Sequence, residues 1–409
     1  MLWMYAFWAS PNNKTPTNPR DWVFRRFIIG VHKFKNLWTD TKKCDIFSIL
    51  FSIFQSVYLL FKKGAVQMDW QSYSARLERD RYSRLISSLS GTVTLEYIKE
   101  LLDQQLPVIY NQETLAFRLN IPLGYLKKIS FDTKAHYETY YIKKRNGKLR
   151  RIDEPSLVLK NIQSWILNNI LYKIPCSRFA KAYVPGTDLK SNSRFHKKQN
   201  TVLTIDIKDF FPSISIYRVI EFFFSCGYTF TVAVTLANLC CLNGSLPQGA
   251  PTSPYLSNLI MREFDGAVSE YCIDKKIRYT RYADDMTFSG DFDIASLLFL
   301  VDRQLYKLKL KRNPQKTKVM RSGDRQYVTG VVVNEFQQVP REYRMKIRQE
   351  IHYIKKFGLE EHLLYINDTK PNYLDRLSGR IAYVLSINPQ DEQMLKYQDY
   401  VKTLNKKYN

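Results

Sequence analysis

The chain has 409 residues, 45% hydrophobic and 14% aromatic, a content that excludes a disordered or fibrous polymer and allows two or three subdomains. It carries 62 Lys and Arg against 38 Asp and Glu, a formal charge of +24, which predicts a polyanionic partner, either nucleic acid or an anionic membrane face, over a plain basic solubility surface. The 28 Tyr and 24 Phe interleaved with that charge favour nucleic acid, because bases stack on rings while phosphates pair with cations.

Residues 1–67 differ from the rest. Ile46–Phe61 is an apolar run between Lys42-Lys43 and Lys62-Lys63, but Ser and Gln interrupt it and it falls short of a bilayer span. No small-residue cleavage site follows, which argues against a signal peptide. A membrane-anchoring helix, a buried accessory helix and translated upstream sequence compete; the last is preferred, and the extension 1–67 is expected to be poorly ordered. Met68 opens ordinary amphipathic sequence, so 68–200 is expected to hold N-terminal helices and a finger-like region. Short helices are expected from Thr94 and from Thr114. The six cysteines (Cys44, Cys176, Cys226, Cys240, Cys241 and Cys272) lack metal-ligand spacing and read as buried thiols of a reducing, cytoplasmic compartment.

His136–Pro155 reads as a hairpin, with Asn146-Gly147 as a two-residue type I′ turn. Lys148, Arg150 and Arg151 lie among its cations. They either close over phosphate oxygens or protect a sheet edge with charge. Leu157–Lys173 reads as a helix with Ile162, Trp165, Ile166, Ile170 and Leu171 inward. Ala182–His196 is polar and loop-like, and by itself His196 reads as a surface histidine. Thr201–Ile207 is a buried strand with one acid, Asp206, near its end, costly there unless paired or metal-bound. Asp209, Phe210 and Phe211 follow at once.

Leu246–Asn258 is a Gly/Pro turn entering a helix, with Ser253 at the N-cap and Pro254 first in the helix. Gly249, after Gln248, would let the backbone approach a flat ligand closely. In Ile277–Gly290, IRYTRYADDMTFSG, two strand-like runs flank Ala283-Asp284-Asp285, the pattern of a hairpin whose tip carries two adjacent carboxylates. Such a pair is a solvated turn unless a cation shares it, Mg²⁺ first. Asn313–Met320, with Lys316, reads as a loop, Tyr327–Asn334 as a strand broken by Gly330, and the tail from Pro340 as a basic helical bundle. If the strands of Asp206 and of Asp284/Asp285 are neighbours, three acids could hold two divalent ions about 3.5–4 Å apart for phosphoryl transfer.

DIKDFFPSI, LPQGAPTSPYLSN, RYADD, NPQKTKV and YVTGVVVN occur in the order of the reverse transcriptase palm, and the chain resembles the bacterial retron reverse transcriptases most closely. Their asparagine-to-histidine motif is similar to Asn192–His196, with Ser193 where alanine is usual; their Val-Thr-Gly motif is similar to Val328-Thr329-Gly330. The resemblance implies an α+β right-hand polymerase fold, with fingers, a palm over 201–334 whose antiparallel sheet carries helices on one face, and a helical thumb over 335–409. It implies Asp206, Asp284, Asp285 and the Ile207 carbonyl around two Mg²⁺, with Mn²⁺ as a substitute. Nucleotide contacts would come from Lys148, Arg150, Arg151, Asp209, Phe210, Phe211, Gln248, Gly249 and Lys316, with Phe211 blocking the sugar 2′-hydroxyl. RNA contacts would come from Asn192, His196, Val328, Thr329, Gly330, Arg344 and Arg348. The implied partners are dNTPs, a structured non-coding RNA of the msr-msd type as template and primer, the RNA/DNA hybrid and an effector protein in anti-phage defence, with no membrane. Another bacterial reverse transcriptase (diversity-generating, intron-derived or abortive-infection) and a catalytically silent RNA-binding scaffold are the alternatives.

Overall fold

The computed structural model describes residues 95–143 and 147–408. The extension 1–67 and the start of the segment opened by Met68 lie outside the described residues. The chain forms two compact units, the described part of one being 95–126 with 224–233, and of the other 127–223 with 234–408.

In the first unit, helices Leu95–Asp103 and Gln112–Arg118 bury Leu101 and Leu115 completely. The second begins two residues before the expected Thr114, because Asn111 caps it, accepting from the Thr114 amide at 2.9 Å. Tyr228 donates to the Pro107 carbonyl at 3.1 Å and closes the unit on itself.

The second unit is built on an antiparallel four-stranded sheet. Strands β1 (Tyr137–Lys143) and β2 (Leu149–Pro155) form a separate ribbon. Their pairing ends at Lys143 and Leu149, so the connection is five residues long rather than the two-residue turn expected at Asn146-Gly147. Residues 144–146 lie outside the described residues. The sheet has the order β4-β5-β3-β6, from β3 (Thr201–Ile207), β4 (Arg278–Tyr282), β5 (Asp285–Gly290) and β6 (Arg312–Arg321). β3 is central and buried along nearly its whole length, as its TVLTIDI sequence requires.

The expected loop Asn313–Met320 is instead most of β6. Thr204 faces Lys318 and Asp206 faces Asn313, so 314–317 bulge out of the ladder, which accommodates Pro314 without a missing hydrogen bond. Likewise Tyr327–Asn334 is not one broken strand but a hairpin of β7 (Tyr327–Val328) and β8 (Val331–Val332), with positive φ at both Thr329 (+48°) and Gly330 (+84°).

Helices cover the sheet. The expected helix Leu157–Lys173 stops at Asn169 and continues as a 3₁₀ turn, with Trp165 only half-buried. The polar stretch before β3 contains a helix, Leu189–Arg194, fixed by a capping box between Asp188 and Ser191. The stripe from Leu256 to Tyr271 divides into helices Ser253–Ile260 and Arg262–Asp274, and the first is capped at Thr252 rather than Ser253. C-terminally, helices Arg341–Phe357, Leu359–Tyr365, Tyr373–Ile387 and Glu392–Tyr408 pack Ile347, Ile351, Leu377, Ile381 and Val401 into one core with Val328 and Val331. Among the described residues no helix is long and apolar enough to cross a membrane.

Candidate active site

β4 and β5 are paired up to Tyr282 and Asp285, which leaves Ala283-Asp284 as a two-residue turn. Ala283 takes a left-handed φ of +58°, at the position where glycine is usual. On the other side of β5, Asp285 lies directly across from Asp206 on β3, and the Ile207 amide donates to the Asp284 carbonyl at 3.1 Å. Asp206 and the distant pair Asp284-Asp285 thus share one end of the sheet. The strands are covered on both faces, so their ends are where carboxylates can meet solvent.

The electrostatics are those of crowded like charges. Burial, then the Asp206 charge, raises Asp284, with Lys316 and Arg150 opposing. Desolvation in the cleft, then Asp284 and Asp206, pushes Asp285 up to about 7, although one side of it stays open to solvent. The buried Asp206 accepts from Lys316 Nζ at 2.7 Å and Asn313 Nδ2 at 3.3 Å. Burial pulls Lys316 down, but its bond to Asp206 and the charges of all three acids leave it raised. Among the described residues no three acid, histidine or cysteine side chains already stand as a closed ligand group. The carboxylates nonetheless fit a divalent cation: they repel one another, their donors are hard oxygens, and an ammonium already sits against one of them. Asp206 and Asp285 line an open cleft of ≈ 480 Å³ with Thr204, Tyr282, Lys318, Thr329 and Gly330.

Phe210 is buried, while Phe211 is half-exposed beside Tyr183, ring centroids 6.3 Å apart. Asp209 is exposed, with a left-handed φ of +46°. Lys148 and Arg150 are exposed, and the Arg150 charge reaches Asp284 and Tyr183. Arg151 instead bonds Asp153 at 2.8 Å. The close approach expected of Gly249 is to the protein itself. Its φ is +140°, and a Cβ there would lie 2.3 Å from the Asp153 carbonyl oxygen, while the Gln248 carbonyl accepts from the Asp153 amide at 2.8 Å. The Gln248-Gly249 loop is thereby clasped to β2.

Two expected RNA contacts are corrected. His196 is completely buried, its Nδ1 2.8 Å from Ser289 Oγ and its Nε2 2.8 Å from Thr280 Oγ1, so it bridges β4 and β5 from behind and is closed to RNA. Burial, then Arg278, holds its pKa down at about 3, so the ring is neutral. Asn192 is equally buried and donates to Thr329 Oγ1 at 3.3 Å, supporting the turn instead of reading a ligand. Of the Val-Thr-Gly triplet, Val328 is core, while Thr329 and Gly330 line the cleft. Arg344 turns towards Asp391 at 3.4 Å, while Arg348 is exposed.

Sequence reading missed Tyr183, Asn313 and the pair Asp265–Arg281. Asn313 was legible as the residue opening the NPQKTKV run, but its role follows from its register opposite Asp206. No local signal marks the other two.

A family model described as "Reverse transcriptase (RNA-dependent DNA polymerase)" matches residues 142–362. The retron Mx65 reverse transcriptase of Myxococcus xanthus is 33% identical over 316 residues, covering 71% of each chain. The retron Ec86 reverse transcriptase of Escherichia coli is 30% identical over 311 residues, 74% of this chain and 92% of that one. Among solved structures, telomerase from Candida albicans superposes on 70% of this chain and 58% of its own at 11% identity, with a TM-score of 0.39. With the domain match covering more than half of the chain, and relatives of one kind matched over more than two thirds of their own length beside it, this protein belongs to the reverse transcriptases of the bacterial retron type and is an RNA-directed DNA polymerase with the α+β right-hand fold.

Proposed function

We propose that the chain copies part of a partner structured non-coding RNA of the msr-msd type into RNA-linked single-stranded DNA (msDNA), within an anti-phage retron that includes an effector protein. The observation that carries the catalytic half is the register of Asp206 opposite Asp285, locked by the Ile207 amide on the Asp284 carbonyl. Family membership supports an RNA template and divalent metal. An RNA-linked product and the defence role rest on the retron resemblance, and a cytoplasmic setting rests on the cysteines read as thiols of a reducing compartment. In this division 68–200 supply the N-terminal helices and the fingers, the β1–β2 ribbon among them, 201–334 the palm and 335–409 the thumb.

In this reading Asp206, Asp284 and Asp285, with the Ile207 carbonyl, hold two Mg²⁺ ions. When bound, they supply Lewis-acid stabilisation of the attacking sugar hydroxyl and of the triphosphate charge. Lys316 moves off Asp206 and adds its charge near the triphosphate, where Arg150, on the exposed ribbon, meets it from the other side. The β2–Gln248 clasp holds the ribbon at one height over the cleft, so nucleotide positioning needs little reorganisation. Phe211, backed by Phe210 and Tyr183, packs against C2′ and leaves no room for a ribose hydroxyl. Thr329 and Gly330 present the RNA side of the cleft, and Arg348 faces the duplex backbone.

The test is a double variant, Asp284→Asn with Asp285→Asn, given Mg²⁺, dNTPs and the co-purified RNA. Loss of cDNA with RNA binding retained is expected; full-length cDNA from this variant overturns the enzyme assignment of these residues. Sequencing nucleic acid carried by the parent protein decides the product. Structured RNA joined to one discrete short DNA is expected, and random-sequence DNA removes the retron product.

A further inference from the structure

We infer that Arg281 is a positioning residue for the carboxylate-bearing turn, holding the Ala283–Asp284 peptide in the orientation in which the acids can share a cation; this rests on the metal reading above. Arg281 is completely buried, as is its partner Asp265. Two edges of the fork are taken by that carboxylate, Nε to Oδ1 at 2.8 Å and Nη2 to Oδ2 at 2.7 Å. The remaining nitrogen, Nη1, donates to Asn258 Oδ1 at 2.9 Å and to the Ala283 carbonyl at 3.2 Å.

Stability is a weak reason for such a pair, since buried ion pairs replaced by apolar groups of similar size are commonly no less stable. What the geometry does supply is direction. The Ala283 carbonyl belongs to the planar peptide whose other end is the Asp284 amide, so aiming that oxygen fixes the plane from which Asp284 springs. Ala283 is also left-handed at φ +58°, a conformation that a side-chain-bearing residue keeps only when its surroundings impose it. The guanidinium imposes it from a rigid base. Asp265 accepts from Tyr279 Oη at 2.8 Å, and Asn258 donates to the Ala182 carbonyl at 2.7 Å. The Arg281 main chain is fixed as well, its amide bonded to the Phe179 carbonyl and its carbonyl to the Lys181 amide. A planar five-donor fork can hold a carboxylate and a carbonyl on different edges at once; an ammonium on a flexible stem is a single point charge.

The test uses the full chain bound to an RNA-template/DNA-primer duplex, with Mn²⁺ as probe and free Mn²⁺ read by electron paramagnetic resonance. Arg281→Lys keeps the charge opposite Asp265 but not the fork. Unchanged duplex affinity and circular dichroism are expected, with Mn²⁺ binding about tenfold weaker, the size seen when a group orienting metal ligands is removed. At saturating metal, kcat falls while the dNTP KM stays near the parent's. As a second variant, Arg281→Met with Asp265→Asn removes both buried charges and still leaves an acceptor for Tyr279; it is expected to weaken Mn²⁺ binding equally. Parental Mn²⁺ binding in either folded variant overturns the role. Asp284→Asn is the control. If it too binds Mn²⁺ like the parent, the metal reading has failed; if it loses Mn²⁺ while the Arg281 variants keep it, the Arg281 inference alone has failed.

Discussion

The tip of the β4–β5 ladder and the residues behind it make opposite use of polar groups. At the tip, Asp284 and Asp285 crowd Asp206 and carry raised pKa values, a local excess of negative charge answered by Lys316 and by Arg150 farther off. A few residues inward, His196 meets the hydroxyls of Thr280 and Ser289, and Arg281 meets Asp265, so each polar group there has a partner. The tip is built to gain a ligand and the residues behind it to stay as they are. Repulsion can be tolerated at the tip because the residues behind it fix where the repelling groups stand.

The largest expected effect comes from removing an acid at the tip. Asp206→Asn is expected to lower kcat for dNTP incorporation by about 10³-fold, the upper range for losing a preorganised electrostatic group, with duplex affinity nearly unchanged. Single-turnover incorporation on a defined template checks it. By contrast, Asp284→Asn in metal-free protein is expected to raise the melting temperature by about a degree or two, since it removes repulsion. A fall instead would mean that the tip is not strained by charge.

Next comes the clasp that holds the ribbon over the site. Gly249→Ala must displace β2, because its Cβ meets the Asp153 carbonyl. A loss of about 1–3 kcal/mol in chemical denaturation, with a raised dNTP KM, is expected. Behind the tip, His196→Leu leaves the Thr280 and Ser289 hydroxyls unpaired and is expected to cost about 1–3 kcal/mol without altering metal binding.

pH sharpens the comparison because the two regions respond with opposite sign. His196 has a folded pKa of about 3 against 6.5 unfolded, so below 6.5 the unfolded chain binds the extra proton and stability falls as pH drops towards 3. Asp285 has a folded pKa of about 7 against 3.8, so in metal-free protein the native state binds more protons between those values, and this contribution weakens as pH rises towards 7. Divalent metal competes with that proton. Mn²⁺ binding is therefore expected to weaken, by less than tenfold per pH unit, as pH falls below about 7, and metal should abolish the Asp285 part of the stability slope. Melting curves from pH 4 to 8 with and without Mn²⁺, in parent and His196→Leu, separate the two.

Much of the site was legible because its residues lie in short motifs with their own local grammar. TVLTIDI reads as a fully buried strand, and RYADDMTF reads as a strand–turn–strand carrying two acids. The ribbon length, the course of 313–320 and the fates of His196 and Asn192 were not legible, since each depends on what another segment places opposite. A stretch with proline and alternating lysines reads as a loop until β3 offers it a partner and a bulge absorbs the proline. A lone histidine reads as surface until two hydroxyls from β4 and β5 close on its ring.

By itself, then, the order of residues determined β3, the β4–β5 hairpin, the basic surface and the identity of the acids, because backbone preference and burial period are local properties of a chain. Only the tertiary structure decided that Asp206 faces Asp285, that Gly249 makes room for β2 and that Arg281 reaches the Ala283 carbonyl. Register, close approach and the direction of a buried side chain are relations between distant segments. They are fixed when the sheet closes and its polar groups must find one another away from water.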